Sequence, residues 1–110
     1  MSKEFRTFAV DLREAAAKVE KEAGEAVGHA VRAAGRTARE SVAVESGDLR
    51  ESLVEVHKGK FGQVLTRSRY ATFQEYGTST MDAHPFIRPA SEVGERVLFK
   101  RIEDIVEDLL

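Results

Sequence analysis

Apolar and small residues recur every three or four positions through the first 42 residues: Phe5, Phe8, Leu12, Ala15, Val19, Ala23, Ala26, Ala30, Ala34, Ala38 and Val42. These steps trace one face of a long helix. Ser2 suits its N-cap. The face changes in texture along its length. Large residues dominate up to Val19, and alanines after it. Gly24, Gly28 and Gly35 fall in the small-residue half, each costing up to ~1 kcal/mol relative to alanine. They mark either a weak point or the close approach of another backbone. Forty helical residues would run roughly 60 Å. A compact domain of this size has a radius of gyration of about 13 Å. Such a helix must break near a glycine or lay its far half on a neighbour.

"ESGDLRESL" ends that helix with turn chemistry at Ser46, Gly47 and Asp48. Leu53 to His57 then alternates as a half-buried strand, with Val54 and Val56 on one side and Glu55 and His57 on the other. "KGKF", with Gly59 and Gly62, reads as a hairpin turn. Gln63 to Arg67 returns as a second strand. Tyr70, Phe73 and Tyr76 are spaced for a short helix, which Gly77 would stop with a left-handed cap. Thr78 to Ala83 reads as loop. The prolines of "HPFIRP" hold His84 and Arg88 out of helical geometry. Pro89 suits the first turn of a last helix reaching Leu109, with Val93, Val97, Ile102, Ile105 and Leu109 as its stripe. The expected class is α+β: a long N-terminal helix, a small antiparallel hairpin, a short helix and loop, and a C-terminal helix. The 110 residues form one domain, with the long helix over 1–45 and the rest over 46–110.

Composition narrows the chemistry. With no cysteine there is no disulfide, thiol nucleophile or cysteine metal site. No apolar run is long enough to span a bilayer, and the charged N-terminus is not a signal peptide. The net charge of −2 gives no bulk attraction to nucleic acid. Lys58, Lys60, Arg67 and Arg69 cluster around the hairpin with Phe61 among them, a pattern that can stack on bases. The same pattern guards a sheet edge against aggregation. Arg32, Arg36 and Arg39 share a helix face, either solvated or turned to an acidic partner or a phosphate. The closing "EDIVEDLL" holds four acids and no base. At a helix C-terminus they oppose the macrodipole, so local helix stability does not explain them.

Catalytic sets are absent from the pattern. His29, His57 and His84 lie in three segments, none with a partner at metal-ligand spacing. The hydroxyls of "TSTM" have no adjacent base. Glu75, set among aromatics, could act as a general acid if burial raised its pKa. It has no second carboxylate. A structural role is the alternative: pairing with Arg88, or accepting N–H groups at the Gly77–Thr78 turn.

The segment "YATFQEYGTSTMDAHPFIRPA" differs from its helix-rich surroundings. Together with "SGDLRESL", the glycine-bearing hairpin and the closing helix, it resembles the tail-completion, or head–tail joining, proteins of long-tailed bacteriophages. The resemblance runs from about Ser46 to the C-terminus. Tyr70, Glu75, Tyr76, Gly77 and Thr78 match the first motif. Pro85, Phe86, Arg88, Pro89 and Ala90 match the second. It implies a structural virion protein without cofactor or catalytic role, assembled in the host cytoplasm. It implies a ring, six-fold in expectation, between the tail terminator on the tail tube and the head-side connector, around the channel that double-stranded DNA crosses. A neighbouring stopper or terminator subunit, or a small nucleic-acid-binding regulator, are the competing readings. On this reading Phe73 and its aromatic neighbours supply contact area, Glu75 and Arg88 form a bidentate pair, and Ala30, Ala34, Arg32 and Arg36 meet a neighbouring subunit.

Overall fold

The computed structural model describes residues 3–43 and 47–110, apart from the side chains of residues 3–5 and 8. The expected cap at Ser2, the turn residue Ser46 and the packing of Phe5 and Phe8 lie outside the described residues. Helix α1 spans Lys3–Ser41, α2 Gly47–Ser52, strand β1 Val54–Lys58, β2 Phe61–Leu65, helix α3 Ala71–Tyr76 and α4 Ile87–Leu109. This is the expected α+β order, with α2 added. The stretch "GDLRES" closes into about one and a half helical turns, which places Leu49 and the following Leu53 in the core.

Helix α1 runs unbroken through all three of its glycines. They are the footprint of the hairpin. A methyl group on Gly24 would lie 3.2 Å from the Gly59 carbonyl oxygen at the hairpin turn. One on Gly28 would meet the His57 ring at 2.6 Å, and one on Gly35 would overlap the Glu55 carboxylate. Of the two readings of these glycines, close approach holds and no break occurs, but only Gly24 meets another backbone, while Gly28 and Gly35 make room for side chains of the chain's own hairpin. Three polar contacts fasten it. Arg39 Nη1 pairs with Glu55 Oε1 at 2.9 Å. His57 Nε2 lies 2.9 Å from both the Gly24 and Gly59 carbonyl oxygens, so that nitrogen must carry the proton. Lys60 pairs with Glu20.

The hairpin is a two-stranded antiparallel sheet with Glu55 opposite Val64 and His57 opposite Gly62. Strand β2 starts two residues earlier than the sequence suggested. A two-residue turn at Gly59 and Lys60, with Gly59 at φ +56°, brings Phe61 straight into pairing with Lys58. The polar side of β1 faces α1, and Val54 is half-exposed on the other side. The period-2 pattern is present, but α1 offers glycines and an arginine to the hairpin, and these accept Glu55 and His57.

Helix α4 returns antiparallel along α1. Ala90 and Phe86 share a core with Ala38, Val42, Leu49 and Leu53. Further along, a methyl group on Gly94 would lie 3.1 Å from Ala34 Cβ and 3.4 Å from the Ala30 carbonyl oxygen. Small residues on both helices allow this close seam. Val93, Val97, Ile102 and Ile105 are half-buried beside it, whereas Leu109 is exposed. Ala30, buried, and Ala34, half-buried, stand on this seam and also line the open groove that α1, β2 and α4 enclose.

The part of α1 that stands clear is the opposite half. The hairpin turn reaches Glu20, and Asp108 near the end of α4 lies beside Glu22 and Glu25. Residues 3–19 continue past both, a projection of about 25 Å at 1.5 Å per residue. The molecule measures 73 × 22 × 19 Å with a radius of gyration of 19.8 Å, well above the roughly 13 Å of a compact domain of this size. Val10 and Leu12 are about half-exposed on this arm. Among the described residues no helix is long and apolar enough to cross a membrane.

Candidate functional site

The segment from Tyr70 to Ala90 folds as one unit, built around two buried polar side chains. Gln74 and Glu75 sit at the end of α3 and are both nearly closed off from solvent. Gln74 closes the loop: its carbonyl accepts the His84 N–H at 2.8 Å, and its Nε2 donates to the His84 carbonyl at 3.1 Å. Glu75 caps α4. Oε1 accepts the N–H groups of Phe86 at 3.0 Å and Ile87 at 2.8 Å, and Oε2 accepts that of Arg88 at 3.2 Å. The next residue is Pro89, which has no N–H. The unpaired donors that begin every helix are thereby all met or removed.

This cap revises two expectations. Glu75 and Arg88 do meet, but through the Arg88 backbone amide. Among the described residues no ion pair joins their side chains, and the guanidinium acts on the carboxylate only through space. Arg88 is also helical, as the second residue of α4. A proline in the first helical turn breaks no internal hydrogen bond, so its restriction on the preceding residue is overridden by the carboxylate cap. The backbone partners of Glu75 are at the start of α4, not at the Gly77–Thr78 turn.

The electrostatics follow from this geometry. Burial pushes the Glu75 pKa up. The hydrogen bonds from Ile87, Phe86 and Arg88 and the nearby guanidinium push it down and prevail, so it lies below the usual carboxylate value. A general acid would need the reverse. Gly77 turns the chain after α3 at φ 77° and ψ 176°, with its N–H bonded to the Phe73 carbonyl at 2.8 Å. That is positive φ with an extended ψ, not the left-handed helical cap expected. A methyl group there would lie 2.7 Å from the Ala83 nitrogen, so only glycine fits. Thr78 and Met81 close the loop with paired backbone bonds.

Behind the cap, Phe86 is completely buried. In front of it, the unit presents large side chains to solvent. Tyr70 is 63% exposed, Phe73 49%, Tyr76 72%, Met81 45% and Ile87 38%. Tyr70, Phe73 and Met81 line one hollow with Leu49; Tyr76, Ile87 and Arg88 line another with Ala71. Buried hydrogen bonds thus fix a framework that holds several aromatic side chains in solvent, and aromatics are residues enriched at protein interfaces.

No family model, curated protein or solved structure matches this chain.

The remaining candidate residues scatter. Arg32 is exposed and its Nη2 donates to His29 Nδ1 at 3.3 Å on the same helix. Arg36 is exposed, and Arg39 is turned to Glu55. Lys60 is drawn to Glu20, which takes one charge from the basic hairpin. Among the described residues no three His, Asp or Glu side chains gather to hold a metal. The role of Gln74 escaped the sequence reading. Its one signal was its place beside Glu75; the structure sets it in the hollow that Tyr70 and Phe73 line.

Proposed function

We propose that this chain is a structural protein of a long-tailed phage, completing the tail and joining it to the head connector as a subunit of a ring. The observation that carries the reading is the linked pair "YATFQEYGT" and "HPFIRPA". In the fold, the Glu of the first motif caps the helix that the second motif begins. The two matched stretches therefore depend on each other physically, which favours a shared architecture over a chance match of words.

The arrangement suits a joining protein. The cap and the Gln74–His84 bonds hold the contact loop in shape before a partner arrives, which lowers the ordering cost of binding. The aromatics supply rigid contact area. A rod longer than a compact domain can span from one layer of a neck to the next. Deleting the gene from the phage genome that carries it should leave DNA-filled heads and finished tails unjoined in lysates viewed by electron microscopy. A normal yield of joined, infectious particles would overturn the reading.

A further inference from the structure

The outer face of the hairpin is bare. Glu55 and His57 face α1, so Val54, Val56 and Lys58 of β1, with Phe61, Gln63 and Leu65 opposite them on β2, face away. Alternation puts the exposed Arg67 on that same side, where it lines a shallow hollow of about 600 Å³ with Ser52, Val54 and Leu65. Phe61 is 56% exposed. The face is apolar along its middle and cationic at both ends. Leu65 stands opposite Val54 and Arg67 two residues further on, so Lys58 and Arg67 are about 20 Å apart along the strands. The acids nearby are turned elsewhere: Glu55 pairs with Arg39 of α1, and Glu51 stands on α2. Residues 56–74 hold four Lys or Arg and no Asp or Glu.

Helix α4 carries the converse surface. Phe99, Ile102, Val106 and Leu109 follow one another at steps of three and four, down one side of the helix. Phe99 is 62% exposed, and Val106 and Leu109 are about half-exposed. Glu95 precedes this stripe, and Glu103 and Glu107 flank its far end; all three are exposed. Glu95 and Glu107 are about 18 Å apart along the helix. Arg96 and Lys100 stand together on one flank, where Lys100 pairs with Asp104 at 3.0 Å. From Ile102 onward the chain has four acids and no base.

We propose that the outer face of the hairpin receives α4 of a second copy of this chain. Each surface has an apolar centre between charges of one sign. The signs are opposite, and the spans agree, about 18 Å against about 20 Å. A chain cannot make this match with itself. Its own α4 lies against α1, where Gly94 meets Ala34, and α1 is on the inner side of the hairpin. A two-stranded face is smaller than the ~800 Å² per partner of a standard interface, so a single contact is weak and sensitive to salt. The two surfaces differ, so repetition closes a ring or extends a filament. As the joint of a ring it rests on the reading above; as a contact between copies it does not.

The chain has no cysteine, so introduced ones report cleanly. Differently tagged Gln63→Cys and Val106→Cys chains, mixed at low salt under mild oxidation, should form the mixed disulfide, and added salt should reduce its yield. Val106→Cys mixed with Arg36→Cys, at an exposed position on α1, should not form it. In sedimentation velocity, reversing the hairpin charges (Lys58→Glu with Arg67→Glu) or the helix charges (Glu103→Lys with Glu107→Lys) should weaken association about two- to five-fold per pair lost. Mixing the two reversed chains should restore it, with circular dichroism unchanged throughout. A mixed-disulfide yield no higher than that of the Arg36→Cys control would overturn the proposal and leave the hairpin face to a different acidic helix. If that chain still joined heads to tails, the function above would stand without this joint. Cross-linked copies with no effect of the gene on virions would give the converse.

Discussion

At the residue scale, Glu75 holds the motif unit together. It is a carboxylate placed where three backbone N–H groups converge, and each such charge-assisted bond contributes about 1.5–3 kcal/mol. Glu75→Gln keeps the shape but loses the charge and part of the acceptor capacity. We expect it to destabilise the chain by about 1–3 kcal/mol at pH 7. The pH dependence has a definite sign. The folded-state pKa lies below the ordinary value of 4.5. The stabilisation is therefore present above that value and is lost as pH falls through the folded pKa. Urea midpoints at pH 7 and pH 3 should show the gap between wild type and Glu75→Gln closing in acid. A gap of constant size would mean that the charge contributes nothing.

At the element scale, two kinds of small residue on α1 perform two tasks. Glycines take the hairpin and alanines take α4. Gly94 sits where α4 comes nearest, so Gly94→Val must push the helices apart and should cost about 1–3 kcal/mol. Ser91→Val, one turn earlier and exposed towards the open groove, should change stability by less than about 0.5 kcal/mol. Chemical denaturation of both variants separates a closed seam from an open one; equal losses would place Ser91 in the seam too. The first-turn geometry of α4 belongs to the same scale. Its helix begins at Ile87 because a side chain from another element caps it and Pro89 in its first turn leaves no further N–H to satisfy.

At the scale of the whole molecule, the chain is a short body with a projecting helix. The body's fastenings to α1 begin at Glu20. Removing residues 1–19 should therefore leave a folded body with a denaturation midpoint close to that of the full chain and a smaller radius of gyration by X-ray scattering. Loss of the cooperative transition would show that the arm belongs to the core. The assignment of halves is the reverse of the one suggested by texture alone. The alanine-rich half, expected to protrude, packs against α4 and the hairpin, and residues 3–19 are the part that projects.

Much of this was written locally. Periods of three to four residues marked α1 and α4, alternation marked the hairpin, and Gly59 and Gly77 marked its turn and the stop of α3. Those features follow from backbone geometry within a few residues, so the chain determines them unaided. The partners of each face are a different matter. Glu55 and His57 face α1 because Gly35, twenty residues before the one, and Gly28, twenty-nine before the other, make room for them. Glu75 bonds to amides eleven to thirteen residues away instead of forming the expected arginine fork, and α4 packs along Ala30 and Ala34. Burial and hydrogen bonding are settled by which surfaces meet in three dimensions, and only the tertiary structure decided that.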